Sequence, residues 1–353
     1  MSNITSTINQ LNKATPIVVL ALILASCVPG TIGLILNLLV FTRPSLRQEP
    51  CSLYFFSSAC FNLFVVFIVM PVRTIATSAN IDMANYNLGL CKIEFFTFFI
   101  VRVMSFWSIL LACIDRYLHS SANIHMRRLS SLKTARLAVG ITTISMFILY
   151  SHMILYYEIG NVTNQFGQIT PKCQGQAGFY RTFIAFWHMT FFSLCPSFLM
   201  LLFGWLTLNN IRRRRRVVLP SGGENNRMAR PTDRQLLRML TAQVVVIIIN
   251  TLPYAINRLY LAFTSNVPKS TLRVAQENLA TQTLDTLAYF AHSSGFYSYT
   301  LTGAVFRKEL FQILSCCLPH HRNPRRTTHS TKNQISALQV IHQGTAMTNA
   351  CIQ

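Results

Sequence analysis

Acid is what this sequence has least of. Ten Asp and Glu stand against 31 Lys and Arg in 353 residues, a formal net charge of +21. Charged residues of both signs make up only 12% of the chain, where a soluble domain carries about a quarter. With 51% hydrophobic residues, the basic excess has to be gathered outside apolar segments. That distribution fits a membrane protein and argues against a nucleic-acid binder. Catalytic and metal motifs are missing too. There is no HExxH, no paired-cysteine metal motif and no phosphate-cradling loop, and His320-His321 is too little for a metal site. The expectation is therefore no enzyme, no cofactor and no metal. No repeat of roughly 20–50 residues and no second domain is visible.

What is present is long apolar runs. Seven of them, at 16–41, 53–76, 90–118, 135–157, 179–208, 236–263 and 279–301, approach or exceed the roughly 20 residues of a spanning helix. They are continuously apolar and do not alternate, which excludes barrel strands. The first run lacks a basic flank and is too long for a signal core, so it is expected to stay as a span. Paired broken helices or inverted internal symmetry would mark a transporter, the main competing class, and neither is visible.

Basic residues set the orientation. Most Lys and Arg fall in the loops after spans one, three and five and in the tail, including the run Arg212 to Arg216. The opposite side has mainly Lys13, Lys92, Lys172, Arg181, Lys269 and Arg273. The first set is expected in the cytoplasm and the N-terminus outside. The Arg run then serves as a topology signal attracted to anionic membrane lipids. Sequons for glycosylation at Asn3 and Asn161 both fall on the expected outer side. Cys91 and Cys173 fall there too, either as two unpaired thiols or as a disulfide stapling a long loop over the bundle mouth. The bridge is favoured. Cys91 and Arg116 are 25 positions apart, about 37 Å of helix, so the third span carries its cysteine at one membrane face and Asp115-Arg116-Tyr117 at the other.

Cys91 with Asp115-Arg116-Tyr117 resembles the third helix of rhodopsin-like (class A) G-protein-coupled receptors. Asn37 in "LNLLVF", Pro196 in "LCPSFL", Pro253 in "NTLPYAINRLY" and "YSYTLTGAVFRKEL" at 297–310 resemble that family's first, fifth, sixth and seventh-to-eighth helices, in order. The resemblance covers roughly 16–317 and implies an all-α membrane protein, a seven-transmembrane helix bundle with a short amphipathic eighth helix. Its parts would be an extracellular N-terminus (1–15), the bundle (16–302), an amphipathic helix with a cysteine pair (303–317) and a disordered tail (318–353). It implies a plasma-membrane receptor for an extracellular ligand that activates a heterotrimeric G protein, with arrestin and receptor kinases as further partners. The implied switch is Arg116, held by Asp115 and by Asp233 at the base of helix six, with Tyr117 and Tyr299 beside it. Outward movement of helix six would release the arginine.

Several positions depart from the family pattern. Asn62 stands where helix two usually has Asp. Ala291 and Gly295 replace two helix-seven asparagines, and Ser105 alone survives of the polar sodium cluster, so weak sodium dependence is expected. Thr251 stands for the helix-six tryptophan, Gly204 for the helix-five tyrosine and Thr143 near the helix-four tryptophan. These changes keep open a receptor fold without efficient signalling, a decoy or heteromer partner.

Charge at bilayer depth marks function. Arg102, Arg258, Asp285, Glu94 and Arg73, with Phe98, His188, Tyr254 and Tyr289, are the candidate ligand-binding residues. Two readings stay open: a mixed-charge ligand pocket, or internal pairing such as Arg102 with Asp285 or Glu94. Phe98 stands where amine receptors carry an Asp, and 278–302 holds no lysine for retinal. A peptide ligand is favoured. "FYSYTLTG…FRKEL" and "DRQLLRML" resemble invertebrate FMRFamide-type neuropeptide receptors and their orphan relatives. Phe306, Leu310, Ile313 and Leu314 form one apolar stripe suited to a membrane surface. Cys316 and Cys317 follow as candidates for palmitoylation.

Overall fold

The structure, a computed structural model, describes residues 2–78, 82–163, 169–218, 231–264 and 267–317. Within these it leaves out the side chains of 2–4, 45, 77–78, 162–163, 214–218, 231–234 and 316–317. Seven rods form the bundle. They are α1 (Ser2–Phe41), α2 (50–78), α3 (Leu88–Ser120), α4 (Leu132–Tyr156), α5 (179–218), α6 (Pro231–Phe263) and α7 (271–302); α8 (Ala304–Cys317) follows. The first six are long and apolar enough to cross a membrane. The seventh is interrupted at Ser294, between Thr271–Ser293 and Gly295–Thr302. The stretch 1–15, expected as a separate terminus, is helical from Ser2 and continuous with the first span.

Caps set several helix starts. Asn87, Ser131 and Ser270 accept N–H bonds from Leu90, Thr134 and Arg273 at the first turns of α3, α4 and α7. Two π turns interrupt α-geometry, Val65–Val69 in α2 and Met189–Leu194 in α5. Each ends two residues before a proline, Pro71 and Pro196. Proline cannot donate to the turn behind it, and a wider turn absorbs the mismatch. Neighbouring rods satisfy carbonyls in both turns. The Cys27 thiol donates to Val66 O (3.4 Å), and the Trp107 indole to Phe191 O (2.9 Å).

Packing follows exposure. On α1, Leu20, Leu24, Val28, Ile32, Ile35 and Leu39 recur every three or four residues on the exposed face. In lipid that stripe needs no protein cover. The opposite face packs on α7. A Cβ at Gly30 would sit 2.5 Å from Ser293 Cβ, so only glycine allows this approach. α3 is the central rod, buried at most positions from Ile100 to Arg116.

A two-stranded antiparallel hairpin, β1 (Tyr157–Thr163) and β2 (Ile169–Gly175), is added to the expected all-α bundle. Cys173, opposite Ile159, is bonded to Cys91 with Cα atoms 5.6 Å apart. Its N–H also donates to Asn85 Oδ1 (2.8 Å). The hairpin is thus tied to the start of α3 and to the turn before it. Asn161 lies exposed on β1, while the Asn3, Cys316 and Cys317 side chains lie outside the described residues.

Candidate functional site

At the disulfide end, α3 presents Glu94, Phe98 and Arg102 at i, i+4 and i+8, one helix face about 12 Å long. α6 adds Tyr254 and Arg258 at i and i+4, and α7 adds Asp285 and Tyr289 with the same spacing. The structure brings these faces together in two tiers.

The tier nearer the disulfide is charged and half-exposed. Arg258 Nη2 donates to Asp285 Oδ2 (2.7 Å), joining α6 to α7, and its guanidinium lies over the Tyr254 ring at 5.3 Å. Arg73 faces Asp82 at 3.8 Å and lies over Phe95 at 5.0 Å. Beyond them Glu277 accepts from Lys269 (2.6 Å), Tyr260 (2.8 Å) and Arg273 (3.0 Å), a latch across the α6–α7 connection. Burial works to raise the Glu277 carboxyl, but these three donors outweigh it and hold the group below its ordinary range.

The deeper tier is buried, aromatic and basic. Arg102 is 7% exposed, and Phe98, His188, Tyr254 and Tyr289 are buried with it. The Arg102 guanidinium lies 4.6 Å from the Phe192 ring centroid, 4.7 Å from Tyr289 and 5.6 Å from Tyr254. These contacts gather α3, α5, α6 and α7 around one cation. Of the two readings the sequence left open, internal pairing of Arg102 with Asp285 or Glu94 is not formed among the described residues. Asp285 is engaged by Arg258 on the adjacent helix, and among the described residues no carboxylate bonds Arg102. The His188 ring packs on Phe99 (4.4 Å) and Phe192 (4.8 Å), and neither of its nitrogens is hydrogen-bonded. Phe98 joins Tyr289, Val19, Val65 and Val69 in an apolar cluster.

Midway down the bundle, Asn62 Oδ1 faces His292 Nδ1 at 2.8 Å and accepts from Ser105 Oγ, while Asn62 Nδ2 donates to Ser58 Oγ (3.3 Å). His292 stacks on Phe106 at 4.6 Å. Asn62 thus stands in the place of the family's carboxylate beside the surviving Ser105, and His292 joins them, so the network holds no carboxylate. Ser193 Oγ donates to Thr251 Oγ1 (3.3 Å), linking α5 to α6. Asn37 is 1% exposed with neither amide atom hydrogen-bonded.

At the opposite end of α3, Asp115 and Arg116 are 3% and 4% exposed. Arg116 donates to Asp115 Oδ2 through Nη2 (2.8 Å) and Nε (3.2 Å). Asp115 Oδ1 accepts from Ser130 Oγ (2.7 Å), a partner the sequence reading missed. Ser130 lies 15 positions on, in the connection to α4, where no spacing rule points back to Asp115. Asn210 Nδ2 donates to Ser120 Oγ (3.1 Å), tying α5 to α3. Tyr117 packs on Phe203 at 5.6 Å, and Tyr299 sits buried against Phe55 (5.1 Å), Phe41 (5.7 Å) and Phe306 (6.0 Å). Position 204 is open: a Cβ there would meet nothing within 4 Å. The Asp233 side chain lies outside the described residues.

Among the described residues no group of His, Cys, Asp and Glu gathers to hold a metal. A family model described as "7 transmembrane receptor (rhodopsin family)" matches residues 33–294. The chain is 26% identical over 307 residues to "Neuromedin-U receptor 2" of Mus musculus, covering 84% of this chain and 75% of that protein. It is 24% identical over 305 residues to the Rattus norvegicus protein of the same name, covering 83% and 75%. It is also 24% identical over 277 residues to "Sex peptide receptor-related protein 2" of Caenorhabditis elegans, covering 71% and 58%.

Proposed function

The chain belongs to the rhodopsin family of seven-transmembrane receptors, and from that premise we propose that it binds a peptide at the disulfide end and activates a heterotrimeric G protein at the Asp115–Arg116 end. The family is one of receptors, not enzymes. The relatives named for neuromedin U and for a sex peptide receptor support a peptide ligand. The N-terminus then faces outside and the tail lies in the cytoplasm, where arrestin and receptor kinases act on it. Arg73, Glu94, Phe98, Arg102, His188, Tyr254, Arg258, Asp285 and Tyr289 contact the peptide. Asp115, Arg116, Tyr117, Asp233 and Tyr299 form the switch, and Cys91–Cys173 holds the hairpin over the entrance.

The observation that carries this reading is the placement of two buried arginines on one rod. Arg102 lies 11 residues from Cys91, and Arg116 lies 14 residues further on, about 21 Å along the helix. One is held by the rings of three other helices, the other by its own neighbour Asp115. A ligand that repositions α6 through Tyr254 and Arg258 shifts the resting and active populations, because it contacts the helix that moves. The test is a library of short synthetic peptides on membranes holding the full chain, read with a panel of G-protein nucleotide-exchange sensors. Peptide-stimulated exchange is expected. Peptide-independent solute flux with no exchange would overturn the reading. The departures at Thr251 and Gly204 favour a second reading, a receptor that binds without signalling. It predicts saturable peptide binding with no exchange on any sensor.

A further inference from the structure

The geometry points to Arg102 as the anchor for a carboxylate of the ligand, taken side-on by its Nε and Nη2 donors. This deepens the peptide-receptor reading above and rests on it. The guanidinium is 7% exposed, and both Nε and Nη2 lack a hydrogen-bond partner. These two N–H groups lie on the same edge of the guanidinium plane. They point in parallel, with the spacing that matches the two oxygens of a carboxylate. The chain uses the same edge elsewhere: Arg116 presents Nε and Nη2 to Asp115.

The surroundings of Arg102 narrow the choice of occupant. Phe192, Tyr254 and Tyr289 hold the cation through their ring faces, which contribute attraction but accept no strong hydrogen bond from the edge. The nearby acid on α7, Asp285, is bonded to Arg258. A buried charge without a counter-charge is costly, and a ligand carboxylate offsets that cost while satisfying both donors at once. A carboxamide offers one acceptor oxygen and no charge, so it satisfies the fork by half. The carboxylate has two sources in a peptide, the free C-terminus or an Asp or Glu side chain.

Three probes separate these sources on the purified full chain in lipid nanodiscs. N-acetyl-phenylalanine carries a terminal carboxylate, N-acetyl-phenylalaninamide carries none, and N-acetyl-aspartate α-amide carries only a side-chain carboxylate. Affinities are read by saturation of the thermal shift. At least one acid should bind about tenfold or more tightly than the neutral amide, the loss expected on removing a charged hydrogen-bond pair. Whichever acid binds tighter names the source. Arg102→Gln should erase the preference, and Arg102→Lys, which keeps charge but not the fork, should reduce it. Arg181→Gln, an exposed base outside the proposed contacts, should leave it in place. Equal binding or no binding of acids and amide to the unmodified chain would overturn the inference, even if the variants fail to fold. A preference that survives Arg102→Gln or disappears in Arg181→Gln would overturn it as well. The nucleotide-exchange screen reports on the receptor reading separately, whatever the acid preference proves to be.

Discussion

Removing the Ser130 hydroxyl should raise ligand-free signalling. Asp115 is buried and divides its oxygens: Oδ2 takes Arg116, and Oδ1 takes Ser130 at 2.7 Å. A hydrogen bond to a charged group is worth about 1.5–3 kcal/mol. Ser130 is half-buried, so the lower end applies. If that bond exists only at rest, Ser130→Ala shifts the equilibrium by about 1.4 kcal/mol, which is tenfold. A resting receptor with roughly 1% in the active state would then show roughly 10%. Asp115→Asn keeps the side-chain shape and removes the charge that holds Arg116. Breaking a buried ion pair costs about 3–5 kcal/mol, so its basal activity should exceed that of Ser130→Ala. The assay is agonist-free nucleotide exchange at matched surface expression, with thermal stability measured in parallel to separate activation from unfolding. If Asp115→Asn rises while Ser130→Ala stays within about twofold of the unmodified chain, Ser130 merely orders the loop. If neither rises, the Asp115–Arg116 pair does not hold the resting state.

Three further outcomes follow from the same geometry. The Asn62–Ser105–His292 network holds no carboxylate and the Asn62 carbonyl oxygen is already engaged, while hard cations favour charged oxygen ligands. Replacing sodium by choline should therefore leave basal exchange and thermal stability unchanged, and a marked sodium dependence would contradict this. Glu277 has its folded carboxyl depressed by its donors, so its contribution to stability is full above the ordinary value of about 4.3 and is lost as pH falls through the lower folded value. The melting temperature of the detergent-purified chain should drop over that acid range, and Glu277→Gln should flatten the drop; an identical profile in the variant would remove the latch from the account. A Cβ at Gly295 would lie 3.7 Å from the unbonded Asn37 Nδ2 and 3.6 Å from Gln243 Oε1. Gly295→Asn should then supply an amide partner and add about 1 kcal/mol, a rise of about 2–4 °C in melting temperature. A fall would show that the site cannot take the larger group.

The spans were legible because in lipid the backbone must satisfy itself, which makes an apolar run of sufficient length a helix almost by default. The expected third run, 90–118, lies within Leu88–Ser120, and the expected sixth, 236–263, ends with α6. The seventh was placed too short. Its helix starts at Thr271, eight residues before the apolar run, because Ser270 caps a polar first turn that hydropathy does not register. The hairpin was hidden for a related reason. β2 contains Pro171 and ends at Gly175, residues that weaken a strand signal; pairing with β1, the bond to Cys91 and the Cys173 N–H bond to Asn85 hold it.

The two ends of α3 differ in legibility because of how far apart in sequence their partners lie. Asp115 and Arg116 are adjacent, so their pairing could be read from the chain alone, and the cost of burying either one makes the other its natural partner. The pocket end draws on α3, α5, α6 and α7, and helix depth alone gives Asp285 two arginines within plausible reach. Packing decides between them. α6 and α7 are neighbours, Arg258 reaches Asp285 directly, and Arg102 is left facing rings. In a chain with so few acids, a base that folds inward finds its counterpart on the adjacent residue, as Arg116 does, or on a neighbouring helix, as Arg258 does, or takes what aromatic faces provide. Aromatic faces attract the Arg102 cation but leave its Nε and Nη2 donors without a hydrogen-bond partner.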